Sequence, residues 1–272
     1  MRPRYSFSSR RTGHIENMRK QRKKFPSIAE QILNESDIII EVLDARFISD
    51  TKNPEIEAFI KARDKKIIYA INKADLIDEK NIEVILEKSV LVSCKTRNGI
   101  NQLRNIIKII SSQLKKDKVV VGVLGYPNTG KSSLINSLIG KKSAPSSSQA
   151  GYTKALQKLK LMDGIVLLDS PGVIPKNEYS GVESKKIAQH AKVGARTYSN
   201  VRDPEQIITE IMREFPGLLE EHYNILTNGD SETLIEKLGE KKSFYKKGSE
   251  IDADKVSRFI LKEWQEGKIK IR

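Results

Sequence analysis

Gly125-Tyr126-Pro127-Asn128-Thr129-Gly130-Lys131-Ser132 is the stretch on which the fold turns. It fits the pattern G-x-x-x-x-G-K-[ST], and its flanks are the ones that pattern requires. The apolar run Val119–Leu124 precedes it as a strand, and Lys131–Ile139 follows with helical spacing. Glycines let the backbone N–H groups of such a turn face a phosphate, and the helix N-terminus adds partial positive charge there. Lys131 is placed to bridge two phosphates, and the Ser132 hydroxyl to ligate Mg²⁺. Thr129, Gly130 and Ser133 would line the same cradle. A chance lysine after an ordinary strand–helix turn is the bland alternative, and the flanks argue against it.

Working outward, short β-rich runs at Ile38–Leu43, Lys66–Ile71 and Val90–Ser93 come before the P-loop strand. Helical patterns at Asn53–Ala62, Glu79–Glu87 and Ile100–Leu114 separate them. This alternation predicts βαβ units and a parallel sheet covered by helices. After the P-loop helix, Ala155–Leu161 and Ile165–Leu168 read as a hairpin turning at Asp163-Gly164. Beyond 175 the strand signals vanish. Asp203-Pro204 and Asp252 look like helix starts, the first with proline at the opening helical position. The expected architecture is α/β: a P-loop NTPase, GTPase-like sheet at 25–175, with a smaller all-α domain at 176–272 and a basic arm at 1–24.

A P-loop does not choose a base, but Asn72-Lys73-Ala74-Asp75 does. It follows the strand Lys66–Ile71, at the sheet edge where ligands of such folds bind. The Asp75 carboxylate can accept from both N1–H and the exocyclic amine of guanine. Adenine lacks that donor pair, and a site built for pairing rejects a non-pairing analogue by about 10⁴–10⁵. Asn72 would touch the base edge or tie this loop to the P-loop, and the Lys73 stem would pack on a purine face. An N-cap at a strand–helix junction is the plainer reading of this tetrapeptide taken alone. Ser93-Cys94-Lys95, at the end of the next strand, would aim backbone N–H groups at the guanine O6. Asp169-Ser170-Pro171-Gly172 ends the second hairpin arm. Asp169 would hold Mg²⁺ through water, and the Gly172 N–H would meet the γ-phosphate. Thr153, in the Ser- and Gly-rich loop Ser143–Thr153, would cap the metal in the GTP state.

Together these motifs resemble those of small GTPases, but in a different order. The guanine motif Asn72–Asp75 and Ser93–Lys95 precede Gly125–Ser132, Thr153 and Asp169–Gly172. The chain therefore resembles the circularly permuted GTPases, most closely the YlqF/YawG-type ribosome-biogenesis GTPases. Asp44-Ala45-Arg46 and Asn53-Pro54 are further matches. The likeness is strong over about 36–175 and weaker at both ends. It implies GTP and GDP as ligands, slow intrinsic hydrolysis, and work on ribosomal RNA in the large subunit. Val173 follows Gly172 where many GTPases have a water-orienting Gln. The family links an Asn matching Asn128 to a potassium ion. It also carries a catalytic histidine near its N-terminus, for which His14 in Thr12-Gly13-His14-Ile15 is the nearest match, without the family's proline. Lys131, Thr153 and His14 are thus the expected catalytic groups. Permutation also runs the segment after Gly172 straight into the helices, so a γ-phosphate contact there would order or dock them.

Composition agrees with an RNA partner. The 272 residues carry a net charge of +14, and 1–24 hold nine Arg or Lys against Glu16 alone. Lys241, Lys242, Lys246, Lys247, Lys255, Lys262, Lys268 and Lys270 add charge near the other end, among few aromatics. Phosphate and shape contacts to folded RNA are expected more than base stacking. A single cysteine, Cys94, excludes a disulfide framework and a Cys-rich zinc site. No apolar run approaches the ~20 residues of a membrane span, and the N-terminus lacks a signal-peptide core. The chain is expected to be cytoplasmic, soluble and monomeric, with no membrane partner. The rival readings are a small-subunit or other RNA scaffold with little hydrolysis, and a P-loop ATPase or kinase, which Asn72–Asp75 disfavours.

Overall fold

The computed structural model describes residues 29–78, 86–140, 157–169, 191–194 and 197–271. A helix at 29–35 (α1) leads into β1 (Ile38–Asp44), whose residues are all buried. The run Ile-Ile-Ile-Glu-Val-Leu-Asp has no polar alternation because both faces of this parallel strand are covered. After the short helix α2 (Ile48–Thr51) comes α3 (Pro54–Ala62). Asn53 caps it, its side chain accepting from the N–H groups of Glu55 and Ile56, with proline at the first helical position. Then follow β2 (Lys66–Asn72), β3 (Ser89–Leu91), α4 (Ile100–Gln113), β4 (Val119–Gly125), α5 (Lys131–Ile139), β5 (Gln157–Met162) and β6 (Ile165–Asp169).

The six strands form one sheet in the order β3-β2-β1-β4-β6-β5. All pairs are parallel except the β5–β6 hairpin. One face buries Ile38, Ile40, Val121 and Val123 under α4 and α5, through Leu103, Ile107, Leu134 and Leu138. The other carries Ile39 and Leu124 against Ile32, Ile56 and Ile60 of α1 and α3. β3 stops at Leu91, short of the expected Ser93, because the Ser93 N–H turns to the Asn98 carbonyl instead of a strand neighbour. The helix expected at Glu79–Glu87 lies mostly outside the described residues.

The described residues from 197 to 271 are mostly helical, as the loss of strand signals predicts, with a single antiparallel bridge between Tyr245 and Ile251: α6 (Pro204–Glu214), α7 (Leu218–Tyr223), α8 (Ser231–Lys242) and α9 (Ala253–Gln265). Asp203 and Asp252 cap α6 and α9 with their side chains. Trp264 of α9 is fully buried and stacks obliquely with Phe215, ring centroids 5.6 Å apart. The apolar core of these helices extends to two residues of the sheet region, Phe47 and Tyr126. Phe47 sits 5.9 Å from the Trp264 ring, and Tyr126 belongs to the P-loop itself. The helices and the sheet thus share buried apolar contacts.

Candidate nucleotide-binding site

The register brings the motifs together. Asp44 lies beside Asn72, Val42 beside Gly125, and Val123 beside Asp169, so β1, β2, β4 and β6 deliver their ends to one edge of the sheet. Ligands of parallel α/β sheets bind at that edge.

Asn72 joins three loops. Its Nδ2 donates to the Thr129 carbonyl at 2.8 Å, and its Oδ1 accepts from the Cys94 N–H at 3.3 Å. Of the two roles open to Asn72 in the sequence, tying its loop to the P-loop is the one these bonds perform. The approach is so close that a Cβ at position 130 would collide with the Asn72 amide, and Gly130 has φ of +94°. Glycine is required there on both counts. Lys73 adopts the left-handed conformation, and Ala74–Leu76 form a 3₁₀ turn whose Ala74 N–H bonds to the Val92 carbonyl. Asp75 Oδ1 accepts from Ser93 Oγ at 2.7 Å, and Ser93 Oγ in turn accepts from the Thr96 N–H.

Beneath this turn is a charge cluster that sequence reasoning did not resolve. Asp44 is fully buried. Arg46 donates to both its oxygens, Nε to Oδ1 at 3.0 Å and Nη2 to Oδ2 at 2.8 Å, and Lys73 Nζ lies 2.7 Å from Oδ2. Burial alone would raise the Asp44 pKa. Arg46 and Lys73 outweigh it and hold the carboxyl well below the usual range. Lys73 therefore has its head on Asp44 while the residue still lines the pocket above. In the sequence this cluster shows only as Asp44-Ala45-Arg46, one of the matches to the permuted GTPases.

That pocket measures about 360 Å³. Of the expected residues, Asn72, Lys73, Asp75, Cys94, Lys95, Gly130 and Ser133 line it. So do Leu76, Gln265, Glu266 and Gly267, which carried no signal in the sequence. Burial pushes the Cys94 thiol up to about 11, which keeps it neutral and inert.

On the phosphate side, Asn128 has φ of +60° and its Nδ2 donates to the Gly194 carbonyl at 2.6 Å. Thr129 is buried, its hydroxyl bonded to the Tyr126 carbonyl. Lys131 is also buried, with Nζ on the Tyr126 carbonyl at 2.8 Å. Burial pushes its pKa down to about 8, with Asp169 only partly opposing the shift. Ser132 Oγ donates to Asp169 Oδ2 at 3.2 Å. A hydroxyl and a carboxylate at hydrogen-bond distance are hard oxygen donors of the kind Mg²⁺ takes when phosphates and waters complete its shell. No group of three or more His, Cys, Asp or Glu that could hold a metal alone occurs among the described residues. Thr153, Gly172 and His14 lie outside the described residues.

Comparison with known proteins agrees with this geometry. A family model described as a 50S ribosome-binding GTPase matches residues 120–229. The uncharacterized GTP-binding protein MJ1464 of Methanocaldococcus jannaschii is 37% identical over 94% of this chain and 68% of its own. Nucleolar GTP-binding protein 2 of Saccharomyces cerevisiae is 32% identical over 92% of this chain, which spans 53% of that protein. The crystal structure of GNP-bound YlqF from T. maritima superposes with a TM-score of 0.64 at 22% identity, covering 91% of this chain and 95% of that one.

Proposed function

The chain belongs to the circularly permuted GTPases, and from that premise we propose a GTP-binding, GTP-hydrolysing switch acting in assembly of the large ribosomal subunit. The observation that carries the nucleotide part is the Asn72 Nδ2–Thr129 bond, which fixes the guanine-recognition turn to the phosphate cradle. Asp75 pairs with the guanine edge, backbone groups of Ser93–Lys95 face its O6, and Lys131 neutralises the phosphates. Ser132, and Asp169 through water, would hold Mg²⁺, which would neutralise negative charge on the phosphates. Thr153 and Gly172 complete the γ-phosphate end, and potassium beside Asn128 supplies further positive charge. Val173 brings no amide to orient water, so turnover is slow alone and rises on the ribosome, with His14 as a candidate water-positioning group.

The ribosomal part is supported by the match to 50S ribosome-binding GTPases, by the nucleolar relatives and by the charge of +14. The basic arm 1–24 and the lysines of the helical region contact rRNA phosphates. The protein works as a monomer in the cytoplasm. Among the described residues no helix is long and apolar enough to cross a membrane.

The test is co-sedimentation with isolated large and small subunits, with GDP and with a non-hydrolysable GTP analogue, beside phosphate release with and without subunits. Nucleotide-dependent binding to the large subunit and faster release are expected, both weakening as salt rises. Binding to neither subunit in either state would sink the ribosomal role. Preference for the small subunit without hydrolysis would favour the scaffold reading.

A further inference from the structure

The guanine pocket is not built from the GTPase motifs alone. Where α9 ends, Gln265, Glu266 and Gly267 form part of its wall, facing the turn that carries Asp75. Three contacts hold this wall in place, and each reaches the guanine-recognition loop or the charge cluster beneath it. The Ile271 N–H donates to the Leu76 carbonyl at 3.0 Å. Gly267 lies so close to Leu76 that an added Cβ would stand 2.6 Å from the Leu76 Cδ1. Arg46 Nη1 donates to the Trp264 carbonyl at 2.8 Å, while the rest of the same guanidinium clamps Asp44, the partner of Lys73. The wall is braced from its own side as well. Gln265 bonds to the Ala191 carbonyl and the Tyr198 N–H, and the Glu266 carboxylate pairs with Lys268 at 3.1 Å.

We propose that residues 265–271 are an integral wall of the guanine site, and that Arg46 is a positioning residue which couples this wall to the guanine-recognition turn. A base in the pocket then holds the end of α9 down, and the seated wall slows nucleotide escape. Thermodynamic reciprocity gives the regulatory consequence. Any partner that draws α9 away from Leu76 weakens guanine-nucleotide binding by the same factor by which the nucleotide resists that movement. The helical region would thus act on nucleotide release through the base, independently of any γ-phosphate contact. This inference rests on guanine-nucleotide binding and not on the ribosomal role.

The experiment uses the full chain and GDP carrying a fluorophore on its ribose. Ile271→Pro removes the N–H that reaches Leu76, at a position whose side chain is only partly buried against the edge of the helical core. It should speed GDP dissociation by about 3- to 10-fold, the worth of one neutral hydrogen bond, while the nucleotide-free chain melts as the wild type does. Arg46→Lys keeps a cation on Asp44 but loses the fork that also reaches Trp264, and should speed release by about 10-fold or more. In the wild type, GDP should slow amide hydrogen exchange over 267–271, and Ile271→Pro should remove most of that protection there while leaving it at the P-loop. Wild-type release rates in both variants, or equal exchange over 267–271 with and without GDP, would overturn the proposal. Should Arg46→Lys fail to fold, Ile271→Pro and the exchange measurement decide it. A wild-type chain that bound no guanine nucleotide would overturn this inference together with the reading it rests on, an outcome distinct from the two above.

Discussion

The base side and the phosphate side of the site differ in how far their charges are balanced. On the base side the charges are already matched. Asp44 holds two cations, Asp75 accepts from Ser93, and Asn72 spends its amide on two neighbouring loops. On the phosphate side Lys131 is buried against a neutral carbonyl, and its pKa falls to about 8. The base side is organised before a ligand arrives. On the phosphate side Asp169 only partly balances Lys131 among the described residues, and bound phosphates would add the larger counter-charge. A rigid, self-compensated half gives selectivity, because a misfit base leaves groups unpaired that cannot relax. A half whose cation is only partly balanced gives affinity for phosphates, and responds when they change.

The contrast breaks most visibly at Asp44. Asp44→Ala leaves Arg46 and Lys73 buried without their anion, and should cost about 3–5 kcal/mol of stability, measurable by denaturant unfolding of the nucleotide-free chain. Unchanged stability would mean the cluster is not the support of the base side. Lys131→Ala should do the reverse. Nucleotide-free stability is kept, because a strained buried cation has gone, while GDP affinity drops by about 10- to 100-fold. Titration calorimetry against unfolding curves separates the two.

The pH dependence sharpens the same point. Burial holds the Lys131 pKa down at about 8 in the nucleotide-free chain, and bound phosphates favour its charged form. Binding above pH 8 must then take up a proton, and affinity should fall as pH rises, by at most about tenfold per unit. Calorimetry at pH 8.5 in buffers of different ionisation enthalpy should show uptake in the wild type and none in Lys131→Ala.

The smallest effect concerns a second carboxyl of β1. Glu41 is as buried as Asp44, but among the described residues one oxygen accepts from the Asn53 N–H at 2.8 Å and the other has no hydrogen-bond partner. Burial pushes it up to about 8. In the folded chain it stays protonated between its unfolded value near 4.5 and pH 8, so folding holds a proton there and stability falls as pH rises through that window. Glu41→Gln should flatten this slope by roughly 1 kcal/mol per pH unit. An unchanged slope would show that Glu41 ionises without cost.

The sequence carried the motifs because each is a local run of letters with a local job. Gly125–Ser132 must turn and Asn72–Asp75 must follow a strand. Asn53, Asp203 and Asp252 cap the helices that the pattern predicts. Even the permutation was readable, since it is an order of motifs. Other features have no letters of their own. The Ile271–Leu76 bond is between backbone groups far apart in the chain, and any residue but proline would supply the N–H. Gln265–Gly267 look like an ordinary helix end. The sequence offers the Lys73 stem to a purine face but not its ammonium to Asp44, because the identity of a buried counter-ion is decided by strand register. The helices share buried contacts with Phe47 and Tyr126, two aromatics that nothing nearby in the sequence marks as belonging to them.

The strand order has a consequence for how the molecule is made. β1 lies at the centre of the sheet and pairs first with β2, its successor in the chain, long before β4 exists to cover its other edge. On a translating ribosome the half that reads the base emerges before the half that grips phosphate. The contact between Ile271 and Leu76 waits for about 200 further residues, some ten seconds or more at ordinary elongation rates. β4 closes the second edge of β1 early in that interval, but the wall we propose for the guanine site comes last, so any nucleotide retention through it is acquired late in synthesis.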